Sequence, residues 1–346
     1  MTAGVLQREE LLQRLLYAQH LTSPAGRREV CRDMNGLQAQ YLSCARHALQ
    51  IRCGEPLPAD WGTGLLKSWT IRGTIHIFPE DDLPLFLHAG REHFLRPEDR
   101  WVDDACMTAG RKRFFAGEML SWLKEGSMTR EELKDRCLDL GMTEEESRSV
   151  FNAWGGTLRA LAEEGQIAGC VQEQKAFRLC DPFTPMEKHA AELELAHRYF
   201  SHYGPATVRD AAYYFGVSQA SVRQWMGELP LSVCHAEGKE RYFIGEAPDL
   251  PDIPACIFLA GFDPLLLGYR KQESPVLPAQ HLRGIFNLTG IVFPAVLLQG
   301  QVKGKWKLAG RRVTVTLFEE VSPQERRALC RTAEETFPAM KELQWE

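Results

Sequence analysis

The feature of this sequence that most constrains its fold is a pattern of short helices followed by short strands, which recurs along the chain. Helix starts in this pattern carry capping boxes, in which a hydroxyl and a carboxylate stand three residues apart, as in Thr129 with Glu132. The stretch Thr207–Met226 has a helix start, a turn at Gly216 and a second helix, which is typical of a helix-turn-helix. Three helices and a two-stranded wing make a winged helix, so the sequence predicts three such units in tandem.

The first unit is predicted to contain three helices and a strand with one polar face. The second helix is predicted to begin at Ser23-Pro24, because a serine cap followed by proline at the first helical position is a helix-start signal. In the strand, Arg72, Thr74 and His76 alternate with apolar residues and would therefore point to the same side. The predicted elements are helices over Leu6–His20, from Ser23 to about Met34 and over Leu42–Arg52, and a strand within Leu65–Phe78.

The remaining units are predicted from similar signals. Thr143 with Glu146 opens a helix that continues through Trp154 and ends at Gly165. From Glu246 the pattern changes to short apolar strands punctuated by glycines and prolines, which favours a small barrel or sandwich. The other predicted elements are strands over Gln166–Val171 and Ala176–Leu179, a helix over Ala190–His202, strands near Ala255–Ala260, Ala295–Leu298, Gln301–Lys307 and Val313–Phe318, and a terminal helix over Ser322–Phe337.

We therefore predict an α+β protein of four domains, which a length of 346 residues allows. Three tandem winged-helix units would occupy residues 1–115, 116–182 and 186–247. A small β-barrel domain with a terminal helix would occupy residues 248–346. The acidic second unit is the one that most resembles a protein-binding module.

Composition places the chain among ordinary globular proteins, with 44% hydrophobic and 25% charged residues. No apolar run is long enough to span a membrane and Met1–Glu10 lacks a secretory pattern, so we expect a cytoplasmic protein without a membrane partner. The ten cysteines are scattered and no Cys-x-x-Cys pair occurs, which argues against a zinc or iron–sulfur site. We expect no metal and no other cofactor.

Charge is unevenly distributed, although the formal net charge is only −5. Residues 264–315 hold eight Lys or Arg and one acid, which gives +7, whereas residues 125–146 hold eight acids and three bases, which gives −5. A one-sided basic surface suits a polyanion such as DNA. A solvated strand face would carry the same charges, and the sequence alone leaves both interpretations open.

Two glutamines, Gln38 and Gln40, stand at the centre of Met34–Tyr41. Residues two apart point to opposite sides of a helix, but to the same side of an extended segment. Asn35-Gly36 before them is a helix-stop signal, so we place both glutamines on an extended connector between two helices. Their amides can hold a water molecule or contact a base edge, but they cannot act as strong bases. Taken alone, a Gln-x-Gln triplet is most often plain surface.

Five pieces of this sequence resemble, in the same order, the bacterial winged-helix DNA glycosylases typified by AlkZ and YcaQ. Together they span nearly the whole chain. Gln38 and Gln40 match the catalytic Gln-x-Gln motif of the AlkZ-like branch, since the YcaQ-like branch carries Gln-x-Asp there. One departure is Pro264, where we expect a residue other than proline. The five pieces are Leu37–Gln40, Arg72–His76 with Pro79–Leu83, Tyr203–Thr207, Gly261–Arg270 and Pro294–Trp306.

The resemblance implies three tandem winged helices and a β-barrel domain that form a cleft around duplex DNA. It also implies a bacterial, nucleoid-associated enzyme that excises alkylated purines from double-stranded DNA, with Gln38 and Gln40 as catalytic residues. We expect a monomer, because several domains already surround the duplex. Candidate DNA-binding or cleft-lining residues are Arg72, Thr74, His76, Asp263, Tyr269, Arg270, Lys303, Lys305, Trp306 and Lys307, with Arg311 and Arg312 as further candidates for phosphate contacts.

The expected chemistry agrees with a site built from two neutral amides. A purine alkylated at N7 or N3 is already cationic, so it leaves the sugar as a neutral base without an acid catalyst. Two amides that position a water molecule would then suffice. No lysine adjoins the motif, so Schiff-base lyase chemistry is not expected, and uracil or 8-oxoguanine should be poor substrates.

Two alternatives from other classes remain open at this stage. A non-catalytic winged-helix transcriptional regulator would explain the repeats and the basic segment, but not neutral glutamines in an otherwise apolar connector. It should prefer one duplex sequence, whereas a glycosylase should bind undamaged duplexes alike. A scaffold built on the acidic second unit would need a protein partner. The sequence does not reveal the size of the lesion, or whether the base is flipped out of the duplex.

Overall fold

The chain folds into two compact units, and its structure is α+β as predicted. One unit comprises residues 1–59 together with 192–346, and the other comprises residues 60–191. The division into four domains and the count of three winged helices stay predictions. The structure is a computed structural model that describes residues 2–91, 100–152, 156–172, 174–246 and 249–346. Within these ranges, no helix combines the length and apolar character that crossing a bilayer requires.

The first fifty residues contain three helices and the glutamine segment. The elements are β1 Thr2–Val5, α1 Arg8–Ala18, α2 Arg27–Asp33, β2 Leu37–Gln38 and α3 Leu42–Gln50. The predicted first helix is confirmed in α1, which buries four leucines at helical spacing. The predicted start of the second helix at Ser23 is wrong, because α2 begins at Arg27 with Gly26 in the cap position. Ser23 belongs instead to the loop between the two helices, where its carbonyl lies 3.1 Å from Nδ1 of His20.

The single strand predicted within Leu65–Phe78 is wrong, because this stretch is a hairpin of β3 (Leu65–Trp69) and β4 (Ile75–Pro79). Arg72 and Gly73 reverse the chain between the two strands, with left-handed φ angles of 61° and 64°. A turn does not keep the alternation of a strand. Arg72, Thr74 and His76 therefore do not form the shared polar face that the sequence pattern suggested.

Both capping boxes predicted in the compact unit of residues 60–191 are confirmed. The threonine hydroxyl of Thr129, and likewise that of Thr143, accepts the amide N–H three residues further on at 3.1 Å. The helix predicted to run through Trp154 ends at Val150, and Trp154 itself lies outside the described residues. The remaining elements of the unit are α4 Leu83–Phe86, α5 Ala109–Trp122, β5 Met128–Thr129, α6 Arg130–Asp139, α7 Glu144–Val150, α8 Thr157–Glu163, β6 Ile167–Gly169 and β7 Ala176–Leu179.

The strands of this unit are antiparallel neighbours in the order β4, β3, β6, β7, β5. The predicted two-stranded wing is confirmed, since Ile167 pairs with Leu179 and Gly169 with Phe177. At Gly169, a Cβ atom would lie only 3.0 Å from the carbonyl oxygen of Lys67 on β3. The wing therefore approaches β3 closely because this position has no side chain.

The helix-turn-helix predicted over Thr207–Met226 is present. Its elements and their neighbours are α9 Lys188–His202, α10 Val208–Phe215, α11 Gln219–Met226, β8 Ser232–Ala236 and β9 Lys239–Phe243. The hydroxyl of Thr207 accepts the N–H of Asp210 at 3.1 Å and thereby caps α10. Gly216 ends α10 in the left-handed conformation, with φ 69°, and Ser218 caps α11.

The C-terminal strands form an open sheet, so the predicted closed barrel is not found among the described residues. The elements are β10 Cys256–Phe258, α12 Pro264–Leu267, α13 Leu282–Ile285, β11 Ala295–Leu298, β12 Gln301–Ala309, β13 Arg312–Leu317, α14 Pro323–Thr336 and β14 Glu342–Trp345. The sheet order runs linearly from β10 to β14, and β14, which sequence reasoning missed, joins β13 in parallel. The predicted terminal helix packs Leu329 and Ala333 against Val296 and Trp306 of the sheet. The terminal helix therefore covers the apolar face of the open sheet, which would have been enclosed in a barrel.

Candidate active site

Gln38 and Gln40 lie two residues apart on an extended segment, as the sequence predicts. Leu37 and Ala39 are buried, at 0% and 4% exposure, whereas Gln38 is half-buried and Gln40 is exposed. This alternation places both amides on the same side of the backbone. Within the described part of the chain, no hydrogen bond occupies either side-chain amide. Both amides are therefore available to a water molecule or a base.

The glutamine segment begins at a Schellman motif that ends α2. The N–H of Gly36 donates to the Cys31 carbonyl at 2.8 Å, and the N–H of Asn35 donates to the Arg32 carbonyl at 3.0 Å. Asn35 and Gly36 both have left-handed φ angles, 50° and 84°, which glycine and asparagine adopt most readily. The buried Asn35 amide also donates to a backbone carbonyl of α9 at 3.1 Å. These bonds fix the point at which the chain leaves α2 and turns toward Gln38.

A cluster of buried tyrosines holds the same turn from the other side. The hydroxyls of Tyr203 and Tyr214 donate to the Met34 carbonyl, at 2.9 and 3.4 Å. Tyr199 stacks on Tyr203 with ring centroids 5.1 Å apart. Burial raises the pKa of Tyr203 well above its usual value, so its hydroxyl keeps the proton that it donates. The position of the glutamines is thus set by α9 and α10 as well as by α2.

Asp263, a predicted cleft residue, is fully buried and forms an ion pair with Arg52 at the end of α3. Two guanidinium nitrogens donate to its two carboxylate oxygens, at 2.7 and 3.1 Å. The same carboxylate accepts the N–H of Leu265 at 3.0 Å and caps α12. Pro264 occupies the first position of α12, where a backbone N–H would have no helical partner, so this departure from the family pattern fits the local structure. The Asp263 carboxylate is therefore occupied by hydrogen-bond donors of the protein itself.

The motif that contains Asp263 ends in one buried residue and one surface residue. Tyr269 is 0% exposed, and its hydroxyl accepts a hydrogen bond from the Gln19 amide at 3.2 Å. Arg270 forms a 2.5 Å ion pair with Glu273, and its side chain is 38% exposed. Asp263 and Tyr269 thus support the fold behind the glutamine segment, whereas Arg270 presents its charge to solvent. A contact between Arg270 and DNA stays a prediction.

The predicted basic residues of β12 lie on its outer side, but acids from elsewhere in the chain offset part of their charge. Lys303 and Lys307 each form a 2.9 Å ion pair, with Glu325 and Glu346 respectively. Both glutamates lie outside the +7 segment that the sequence singled out. Trp306, also a candidate, points inward and donates its indole N–H to a backbone carbonyl at 2.8 Å. Trp306 is therefore a core residue of the sheet.

The remaining basic candidates of the sheet are also engaged within the protein. The ammonium of Lys305 lies 5.0 Å from the centroid of the Phe293 ring. Arg312 forms an exposed ion pair with Glu342 at 2.7 Å, and Arg311 donates to a backbone carbonyl at 2.6 Å. Exposed pairs contribute only about 0–1 kcal/mol, so such cations can exchange a carboxylate for a DNA phosphate. Their contact with DNA stays a prediction.

Arg72, Thr74 and His76 belong to the other compact unit. His76 is 4% exposed, and its Nδ1 lies 2.7 Å from the Thr70 hydroxyl and 3.2 Å from the Thr74 carbonyl. Burial lowers the pKa of His76 to about 3, and the charge of Arg72 acts in the same direction. The ring is therefore neutral at physiological pH. Its buried contacts give it a structural role in the hairpin, and a role in the cleft stays a prediction.

His76 is expected to make folding depend on pH. Its ordinary pKa is 6.5, so between about pH 6.5 and 3 the unfolded chain binds a proton that the folded chain does not. Stability should therefore fall as the pH falls through this window, by up to about 1.4 kcal/mol per pH unit. Urea unfolding from about pH 7 to 4 should show a steeper loss for the wild type than for His76→Gln. Parallel curves for the two proteins would refute this assignment.

Two exposed residues of the glutamine-bearing unit were not selected from the sequence. Tyr41, directly after Gln40, is 50% exposed, and its ring stacks on Phe262 at a centroid distance of 5.9 Å. Leu288 is 86% exposed and lies in a turn. The side-chain oxygen of Asn287 stabilises this turn by accepting hydrogen bonds from two backbone N–H groups. Side chains of this kind are what proteins place against DNA bases. A large apolar residue in a polar turn is the sequence signal for Leu288, whereas no local signal brings Phe262 to Tyr41.

A family model described as DNA glycosylase AlkZ-like matches residues 31–337, and the chain therefore belongs to that family. It is an enzyme that hydrolyses N-glycosyl bonds and acts on DNA. The family resemblance predicted from the five sequence pieces is thus confirmed.

A curated relative and a solved structure, both from Streptomyces sahachiroi, are similar to this chain. A curated relative named interstrand DNA cross-link repair glycosylase is 26% identical over 310 residues, which cover 82% of this chain and 83% of the relative. The solved structure of the DNA glycosylase AlkZ from the same organism aligns over 100% of both chains with a TM-score of 0.77. Its sequence identity is 23%, so this likeness shows a shared fold.

Proposed function

We propose that this enzyme is a monofunctional glycosylase that hydrolyses the N-glycosidic bond of cationic N7- or N3-alkylated purines in duplex DNA. The observation that carries the proposal is the pair of free amides, Gln38 and Gln40, on one side of an extended segment. The similar S. sahachiroi enzyme is named for interstrand crosslink repair. This name supports including bulky adducts and interstrand crosslinks among the substrates.

The leaving group explains why two amides are enough. A purine alkylated at N7 or N3 carries a positive charge, and breaking its bond to the sugar returns a neutral base. No proton has to be delivered to the base, so the site needs no general acid. Positive charge develops instead on the sugar. Water then attacks the sugar carbon that held the base, and the proton that this water loses passes to solvent.

Gln38 and Gln40 are the groups that hold this water. An amide oxygen accepts a hydrogen bond from the water and points its negative end toward the developing sugar cation. Attack on such a cation needs a well-placed nucleophile more than a strong base. The Schellman turn and the Met34 carbonyl, which the tyrosines hold, keep the segment in place before substrate arrives. The arrangement is therefore preorganised for water.

Substrate selectivity tests this proposal. Duplexes of one sequence that contain N7-methylguanine, an N7-linked interstrand crosslink, uracil or 8-oxoguanine should divide into two groups. We expect release of N7-methylguanine and unhooking of the crosslink, both without strand cleavage, and no release of the two neutral bases. Release of uracil at a similar rate would demand an acid catalyst and would overturn the mechanism. Strand cleavage coupled to base release would instead reveal a lyase.

A further inference from the structure

Three helix ends bring His20, Asp33 and His202 together. His20 follows the end of α1, Asp33 is the last residue of α2, and His202 is the last residue of α9. Nε2 of His20 lies 2.8 Å from one Asp33 oxygen, and Nε2 of His202 lies 3.5 Å from the other. The three side chains are 12%, 15% and 23% exposed in that order, so the cluster is largely shielded from water.

The hydrogen bond at Nδ1 of each ring fixes its tautomer. Nδ1 of His20 lies 3.1 Å from the Ser23 carbonyl, and Nδ1 of His202 lies 3.0 Å from the Ala18 carbonyl. A carbonyl oxygen only accepts, so each Nδ1 carries the hydrogen. In the neutral form of each ring, Nε2 then presents a lone pair to a carboxylate that also presents lone pairs. A cation among these acceptors stabilises them, and either a proton on an Nε2 or a metal ion supplies it.

The distances fit a metal ion as that cation. One ligand atom from each of the three residues lies within 4.8 Å of the others. Around a tetrahedral Zn²⁺ with bonds of about 2.0–2.1 Å, ligand atoms stand ~3.3 Å apart, and each Nε2 lies at a similar distance from its nearer Asp33 oxygen, 2.8 Å for His20 and 3.5 Å for His202. Histidine ligands of metals characteristically donate their other ring N–H to a backbone carbonyl, as both rings do here.

The backbone at His20 also favours a placed imidazole. His20 ends α1 with a left-handed φ of 60°, a position that glycine or asparagine usually occupies. Its N–H donates to the Tyr17 carbonyl at 3.0 Å. This conformation turns the ring toward Asp33 on α2. Both histidines also line a cavity of about 420 Å³ within the same compact unit.

We propose that His20, Asp33 and His202 bind one divalent transition-metal ion of the Zn²⁺ class, with a further coordination position open to the 420 Å³ cavity. The ion joins the ends of α1, α2 and α9. Asp33 stands five residues before Gln38, so the ion fixes the helix end from which the glutamine segment departs. This inference replaces the sequence-based prediction of no metal, which considered cysteine spacing and could not foresee a site assembled from three helix ends.

Metal binding by the full-length protein tests the proposal. Protein stripped with a chelator should bind one Zn²⁺ per chain in a calorimetric titration, and its melting temperature should rise with added Zn²⁺. In Asp33→Asn and His202→Gln, affinity should fall by more than about tenfold, which is the loss expected even when only a partner of a ligand is removed. The matched control is His235→Gln, which alters an exposed histidine on β8 and should bind Zn²⁺ like the wild type.

Cobalt spectroscopy of the wild type keeps the test decisive if a variant fails to fold. Co²⁺ should give the visible bands of a nitrogen- and oxygen-ligated ion of low coordination number, without a charge-transfer band from thiolate. A thiolate band would place the ion on the cysteines and overturn the proposal. So would the absence of stoichiometric Zn²⁺ binding, which would leave protonated rings as the partners of Asp33. Folded variants that bind Zn²⁺ as tightly as the wild type would have the same consequence.

Discussion

Replacing Gln38 with alanine is expected to slow the release of N7-methylguanine from duplex DNA by about 100- to 1000-fold, the loss typical of removing one preorganised polar group from an active site. The side chain makes no hydrogen bond within the described chain, so its removal should leave the fold intact. Gln40→Ala should have an effect of the same order. The double variant should be little worse than the more damaging single one, because the two amides hold the same water. Single-turnover kinetics with saturating enzyme measures this effect on the bond-breaking step.

The matched control for these variants is Gln13→Ala, which removes a half-buried glutamine from α1. It should release N7-methylguanine at the wild-type rate. Affinity for an undamaged duplex should be the same for all of these proteins, because phosphate contacts dominate it. A loss of DNA affinity that accounts for the whole effect of Gln38→Ala would assign the glutamine to binding and not to catalysis.

Replacing Asp263 with alanine is expected to destabilise the protein by about 3–5 kcal/mol, because it leaves the Arg52 guanidinium buried without its counter-charge. Both side chains of this pair are 0% exposed, so solvent does not screen the loss. The cap of α12 is lost as well, since the Asp263 carboxylate accepts the Leu265 N–H. Denaturant unfolding followed by circular dichroism measures the change in the free energy of unfolding.

The exposed pair between Arg312 and Glu342 provides a control of the same chemistry. Its side chains are 54% and 44% exposed, so Glu342→Ala should cost only about 0–1 kcal/mol. The double variant Arg52→Met/Asp263→Asn leaves no unpaired buried charge, and the side-chain oxygen of the introduced asparagine can still cap α12. Much of the stability lost in Asp263→Ala should therefore return in this variant. Equal and small losses for Asp263→Ala and Glu342→Ala would show that the buried pair does not hold the unit together.

Local sequence signals predicted much of the structure around the glutamines. Asn35-Gly36 marks the end of α2 because these two residue types accept left-handed backbone angles. The alternation of Leu37 and Ala39 with the glutamines follows from an extended backbone. The capping boxes at Thr129, Thr143 and Thr207 are likewise local, and all three are formed.

Long-range structure was predicted less well, because its causes lie far apart in the chain. Alternation alone could not show that Arg72-Gly73 would turn, and so the hairpin was taken for one strand. The charge of β12 was counted without Glu325 and Glu346, which come from α14 and from the residue after β14. Asp263 belongs to a recognisable motif, but only the fold shows that Arg52 is its partner.

The measurement that tests the central claim most directly is the release of N7-methylguanine from methylated duplex DNA by the wild type and by Gln38→Ala/Gln40→Ala, side by side. We predict free base and an intact abasic strand from the wild type, and release slowed by at least about 100-fold in the variant. Equal release by both proteins would contradict the assignment of the two glutamines. If the wild type neither releases the base nor unhooks a crosslinked duplex, the proposed substrate class is wrong.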